Sequence, residues 1–122
     1  MRKDIIILGS TGSIGSSTLK SIQNNNNFKI KLLSTNKNIN KIYKQAIKYN
    51  VKNVIVEDKI KFLKYKDLFK KNKIKLTLGI RSIKKIIKKK VTFCINAISG
   101  IDGLIPTLDM IPFSKNILIA NK

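Results

Sequence analysis

Short apolar runs alternate along the chain with longer stretches whose apolar residues recur every three or four positions. The runs fall at residues 5–8, 30–33, 54–56, 74–78, 92–95 and 117–119 and are rich in Ile, Val and Leu. They read as β-strands. Because they are continuously apolar rather than alternating, both faces of each should be covered, as in a parallel sheet. Between the second and third runs, Ile39, Ile42, Tyr43, Ala46 and Ile47 follow the i, i+3, i+4, i+7, i+8 spacing of one helical stripe, with lysines opposite. Residues 16–23, the segment holding Phe62, Tyr65 and Phe69, the lysine-rich segment 80–90 with its Ile83, Ile86 and Ile87 stripe, and residues 103–111 predict the remaining helices. In the last of these Pro106 is tolerated in the first turn and Pro112 closes the helix. Strand and helix in strict alternation predict an α/β fold. We expect a Rossmann-like, doubly wound parallel sheet of about six strands with helices on both faces. With no internal repeat and no Gly/Ser linker, residues 1–122 form one domain in this reading.

Composition supports a folded chain. Hydrophobic residues make up 43% of the 122, enough for one core despite a net charge of +20. That charge would ordinarily point to nucleic acid or an anionic membrane. Here every basic residue except Arg2 and Arg81 is Lys, mixed with abundant Ile and Asn, as AT-rich codons would give. The Arg forks and aromatic platforms that recruit nucleic acid are missing, so the lysines are read as solvated surface, with neither nucleic acid nor membrane as partner. No run reaches the ~18 apolar residues of a membrane span, and Met1 leads straight into the first strand without a signal or transit pattern, so a cytoplasmic setting is expected. The one cysteine, Cys94, lies in an apolar run and reads as a small core residue.

The sharpest chemical signal is Gly9-Ser10-Thr11-Gly12-Ser13-Ile14-Gly15, placed between the first strand and the first helix. Rossmann folds keep their phosphate loop at this turn. Gly9 suits the tight turn off the strand, Gly12 lets backbone approach a pyrophosphate, and Gly15 permits close helix packing. Free N–H groups at the helix start would face the phosphates, with the hydroxyls of Ser10, Thr11 and Ser13 as further donors. The G-x-x-G-x-x-G spacing lacks the G-K-[ST] ending of an ATP-binding loop.

After the second strand, the Asp or Glu that NAD-binding folds place near the ribose is missing. Ser34-Thr35-Asn36-Lys37-Asn38 stands there instead, offering a cation and several donors to a 2′-phosphate. NADP is therefore preferred over NAD. Asn96-Ala97-Ile98-Ser99-Gly100 after the fifth strand would border the same crevice, and Ala120-Asn121-Lys122 ends the sixth strand in that layer. No metal cluster, triad or paired carboxylates stand out, so the residues point to cofactor binding and not to the chemical step.

Four stretches together resemble the 1-deoxy-D-xylulose 5-phosphate reductoisomerase family: residues 7–15 with Thr18-Leu19; Lys37-Asn38; residues 96–100 with Gly103-Leu104 and Pro106-Thr107-Leu108; and Leu118 with Ala120-Asn121-Lys122. They occur in the family's order. The resemblance implies the NADPH-binding N-terminal domain of an oxidoreductase of the non-mevalonate isoprenoid pathway. That enzyme isomerises and reduces 1-deoxy-D-xylulose 5-phosphate to 2-C-methyl-D-erythritol 4-phosphate as a homodimer, with a divalent metal, Mg or Mn. Carried over by position, Thr11, Gly12, Ser13 and Ile14 would hold the pyrophosphate region. Asn36, Lys37 and Asn38 would hold the adenosine side, Asn121 would contact the cofactor, and Lys122 the substrate. The family usually has Gly at the position of Asn36, an exchange permitted by the tolerance of Asn for positive φ. Its catalytic and C-terminal domains, with the catalytic and metal-binding residues, are expected to lie beyond residue 122, so this fragment alone should be inactive. The alternatives are an NADP-binding domain of another oxidoreductase and a basic nucleic-acid-binding module.

Overall fold

A computed structural model describes residues 2–120, with only the backbone described at residue 101. Six strands, β1 (Lys3–Leu8), β2 (Phe28–Thr35), β3 (Asn53–Val56), β4 (Lys75–Leu78), β5 (Val91–Asn96) and β6 (Ser114–Ile119), form one sheet in the order β4-β3-β2-β1-β5-β6. Every neighbouring pair is parallel. The chain winds outward from β1 to the edge strand β4, then returns to place β5 on the other side of β1. Where the winding reverses, β1 and β5 stay paired to their ends, but the helices that follow them, α1 and α5, lie on opposite faces of the sheet, and the crevice typical of this architecture lies between their connections.

Five α-helices connect the strands: α1 (Ser13–Ile22), α2 (Ile39–Lys48), α3 (Lys59–Lys71), α4 (Ile83–Ile86) and α5 (Leu104–Met110). They cover both faces. On one, Leu19, Ile39, Ile42, Ala46 and Phe69 from α1, α2 and α3 pack on Ile5, Ile7, Leu33, Val54 and Val56. On the other, Ile83 and Met110 from α4 and α5 pack on Ile6, Leu8, Leu32, Ile55 and Cys94. Alternate residues of β1 thus serve two cores, which is why its sequence shows no polar alternation. In β2 the pairing with β1 skips Lys31: Ile5 opposes Ile30, whereas Ile6 opposes Leu32. This irregularity falls at the charged residue of that run and brings Ile30 and Leu33 to the same core.

Several elements depart from the periodicity reading. The helix expected over 80–90 is a 3₁₀ turn at Ile80–Ser82 followed by a single α-turn, and Ile87 is already extended. Of the expected stripe Ile83 and Ile87 are nonetheless buried, while Ile86 is only partly so, and Ile80 joins them in the core. The connection has to carry the chain from edge strand β4 to the middle of the sheet, and extended backbone covers about 3.3 Å per residue against about 1.5 Å for a helix. In α2, Ile47 belongs to the expected stripe but is half exposed, and Gln45 is buried instead. Helix α1 starts at Ser13 and not at residue 16, so Ser13, Ile14 and Gly15 form its first turn. Of the aromatic residues in α3, Phe69 is fully buried and packs edge-to-face on Tyr43 at 5.2 Å, while Phe62 and Tyr65 lie at the margin of the core.

Candidate dinucleotide site

The loop leaving β1 turns sharply because Gly9 adopts a φ of +72°, a conformation costly for any residue with a side chain. The turn brings Gly9 against the loop after β5, where a Cβ would sit 3.0 Å from the Ala97 carbonyl carbon and the Ile98 nitrogen. Next comes Ser10, fully buried and pointing inward: its hydroxyl donates to the Gln45 side-chain oxygen at 2.8 Å. The expectation that Ser10 would offer its hydroxyl to a phosphate is therefore corrected, since that hydroxyl is already spent inside the fold. The Thr11 hydroxyl pairs with the Thr35 hydroxyl at 2.7 Å, and the Thr11 carbonyl accepts from Lys41 Nζ at 2.7 Å. Gly12 then caps α1 in extended conformation with no side-chain hydrogen bond, leaving the positive end of the helix dipole open to an anion.

Strand β2 is two residues longer at its carboxyl end than the apolar run, and these two residues brace the loop. The buried Ser34 hydroxyl accepts from Gly9 N at 3.0 Å, and the Ser34 carbonyl accepts from Ser10 N at 3.0 Å. Beyond them, Asn36, Lys37 and Asn38 are exposed. Asn38 is the N-cap of α2, its side-chain oxygen accepting from Lys41 N at 3.3 Å, so part of its polarity is committed to the helix. Asn36 does not use the positive φ that its likeness to a glycine position suggested: among the described residues only Asn50 and Lys73 do so without being glycine.

At the end of β5, Asn96 is buried and holds the next loop in shape. Its amide group donates to the Gly103 carbonyl at 2.8 Å and its oxygen accepts from Ile98 N at 3.1 Å. Ala97 and Ile98 lie against Gly9, and with Ser99 they border the crevice, as their place after β5 predicted.

These pieces enclose a cavity of about 530 Å³ lined by Gly9, Thr11, Gly12, residues 34–38, Glu57, Ile80, residues 97–99, Asp102 and Pro106. Another cavity of similar size lies at the opposite end of the sheet, near Arg2, Phe28 and Tyr49, away from the loop. The expected residues Thr11, Gly12, Asn36, Lys37 and Asn38 thus converge on one cavity. Ser13 and Ile14 do not line it and stand in the first turn of α1, while Asn121 and Lys122 lie outside the described residues.

Glu57 was missed by the sequence reading. It follows β3 directly, at the carboxyl edge, which was the available signal. Partial desolvation in the cavity raises its carboxyl above the usual value, while a hydrogen bond with the Ile80 backbone pulls it back. Cys94 is buried in the second core, and that burial pushes its thiol up to about 12, as expected of a core residue and not of a nucleophile. Among the described residues, no three His, Cys, Asp or Glu side chains gather as a metal site, and no helix is long and apolar enough to cross a membrane.

A parallel sheet with a glycine turn and a helix start free of any side-chain cap at its winding reversal defines a domain of the Rossmann type, an architecture that receives ligands at this crevice. The sequence profile of the 1-deoxy-D-xylulose 5-phosphate reductoisomerase family matches residues 5–122, and the chain belongs to that family. It is 52% identical over 123 residues to the 1-deoxy-D-xylulose 5-phosphate reductoisomerase of Pelagibacter ubique, a match covering 98% of this chain and 32% of that relative. The enzyme of the same name from a Thermoanaerobacter species is 40% identical, with 98% and 31% covered. The chain therefore spans about a third of the length of the curated relatives it matches. Among solved structures, the Zymomonas mobilis 1-deoxy-D-xylulose 5-phosphate reductoisomerase in complex with NADPH superposes with a TM-score of 0.86 at 26% identity, over 99% of this chain and 32% of that one. A reductoisomerase in complex with NADPH, fosmidomycin and magnesium gives 0.78 at 26% identity, with 98% and 30% covered.

Proposed function

We propose that this chain is the NADPH-holding domain of a 1-deoxy-D-xylulose 5-phosphate reductoisomerase. The observation that carries this reading is the convergence of the glycine loop, the end of β2 and the loop after β5 on one cavity at the carboxyl edge of the sheet. The cavity fits a dinucleotide in its chemistry. Gly12 offers backbone with no side chain in the way, and a Cβ there would touch nothing closer than the Gly9 carbonyl at 3.7 Å. In this reading Thr11, Gly12, Ser13 and Ile14 surround the pyrophosphate, chiefly through backbone N–H groups at the start of α1. Asn36, Lys37 and Asn38 take the adenosine side, Lys37 answering the 2′-phosphate charge. Asn121 would meet the cofactor and Lys122 the phosphorylated sugar.

When bound, NADPH supplies a hydride to the isomerised 1-deoxy-D-xylulose 5-phosphate skeleton, giving 2-C-methyl-D-erythritol 4-phosphate. The contribution of the described residues is to bind and orient the cofactor. Ala97, Ile98 and Pro106 form the apolar side of the cavity and limit water there, and Gly9, Ser34 and Asn96 hold the walls in place. The described residues do not fit a magnesium or manganese ion, since their acids are not gathered. Homodimer assembly, cytoplasmic location and turnover are proposed for the longer enzyme, with the 122-residue chain inactive by itself.

The test is titration of the chain with NADPH and with NADH at moderate salt. Preference for NADPH is expected; equal affinity for the two, or binding of neither by folded chain, would refute the reading. Consumption of NADPH when 1-deoxy-D-xylulose 5-phosphate and magnesium are added to the pure chain would refute the expected inactivity.

A further inference from the structure

Gln45 lies on α2, outside the glycine loop and outside the cavity lining, yet it is only 8% exposed and makes two hydrogen bonds to a single loop residue. Its side-chain oxygen accepts from the Ser10 hydroxyl at 2.8 Å, and its side-chain nitrogen donates to the Ser10 carbonyl at 2.9 Å. One amide thus grips Ser10 by side chain and main chain together. A leucine or methionine would fill the same space, so packing alone does not account for an amide at this core-facing position. The amide's two ends also fix an orientation, which apolar contact cannot.

We propose that Gln45 is a positioning residue for cofactor binding, acting through Ser10 to set the direction of the Thr11 and Gly12 backbone. This rests on the reading of the loop as the pyrophosphate cradle. Donors aimed at an anion are effective to the extent that they are held in place beforehand, because a loop that must reorganise on binding loses affinity in doing so. Other ties brace the same loop: Ser34 accepts from Gly9 N and Ser10 N, the Thr35 hydroxyl pairs with that of Thr11, the Ser16 hydroxyl donates to the Ser10 carbonyl at 3.3 Å, and Lys41, one helical turn before Gln45, donates to the Thr11 carbonyl. The exposed Lys41 can be exchanged for water, whereas the Gln45 bonds are buried. On the adenosine side the Asn36 carbonyl accepts from the Glu57 and Asp58 backbone N–H groups and Asn38 caps α2 through Lys41 N, and none of these bonds passes through Gln45 or Ser10.

The separation supplies the test. NADPH and 2′-AMP are titrated into the wild-type chain, Gln45→Met and Ser10→Ala, with amide chemical shifts as the readout. NADPH engages both halves of the site, whereas 2′-AMP engages only the adenosine half. Gln45→Met is expected to weaken NADPH about 10-fold, as for loss of a buried polar pair, and 2′-AMP less than about 2-fold. Ser10→Ala is expected to weaken NADPH as well, and to add little on the Gln45→Met background. Wild-type binding of NADPH with no loss in Gln45→Met would overturn the positioning role and leave the cofactor reading standing. Equal weakening of both ligands would make Gln45 a general packing residue and also overturn it. Absence of NADPH binding in the wild type would remove the cofactor reading, and this inference with it.

Discussion

Gly15 is packed against Gly9 so closely that a Cβ on Gly15 would overlap the Gly9 carbonyl oxygen and lie 2.6 Å from the Ser10 Cα. Both neighbours are backbone and cannot rotate away. Gly15→Ala is therefore expected to destabilise the fold by about 2–3 kcal/mol, as overpacking against backbone does. Thermal unfolding monitored by circular dichroism measures the effect, and a midpoint within a degree or two of wild type would contradict it. Gly12 is the counterexample three residues earlier, with ordinary φ and open space around its Cβ. Gly12→Val should keep most of the stability and lose NADPH, so that two glycines of one motif separate into a folding role and a binding role.

Lys37 is exposed at the mouth of the cavity and carries the proposed preference for a 2′-phosphate. Lys37→Ala should weaken NADPH by about 5–10-fold, the range of one charge-assisted contact in water, and leave NADH unchanged. Parallel titrations decide this, and equal loss of both nucleotides would place Lys37 elsewhere in the energetics.

Glu57 faces the same cavity with its carboxyl raised from 4.5. Between 4.5 and its raised value the folded chain holds more protons at this site than the unfolded chain, so stability falls as pH rises through that window. Above the window the ionised carboxylate remains a cost. Glu57→Gln removes it, and since Glu57 is exposed to water the gain at neutral pH should be small, about 1–2 °C in midpoint. At pH 4 the variant and wild type should coincide. A midpoint difference that does not change between pH 4 and pH 7 would show that desolvation of the charge is not the cause.

Leu104, Ile105 and Leu108 of α5 and Ile111 just after it are each more than half exposed, and Leu118 and Ile119 are similarly exposed on the edge strand β6. Between residues 91 and 120 the only charged side chains are Asp102, Asp109 and Lys115, so the repulsion carried by the rest of this +20 chain is thin here. An apolar surface of this kind associates. Changing Leu104 and Leu108 together to Lys should leave stability within about 0.5 kcal/mol while lowering concentration-dependent association, seen by light scattering. Unaltered association in the double variant would exclude this face as its cause.

Local pattern carried much of the fold. The strands are short apolar runs because a parallel strand buried on both faces cannot afford polar alternation, and the glycine motif is legible because its demands are met within seven residues. Helix α2 shows the limit. Ile47 and Gln45 are two positions apart, and periodicity assigned the apolar one to the core. Periodicity could not register Ser10, 35 residues away, whose buried hydroxyl and carbonyl both bond the Gln45 amide.

The sequence by itself determined the strand-helix alternation, the phosphate-type turn after β1 and, through four motifs in order, the family. Only the tertiary structure decided that Ser10 points inward, that Gln45 and not Ile47 is buried, that Glu57 joins the cavity and that the segment before β5 stops being helical after one turn. Each of these depends on which residues the winding of the sheet brings together across long separations, and hydrogen bonds and desolvation act over a few ångströms of space whatever the distance along the chain.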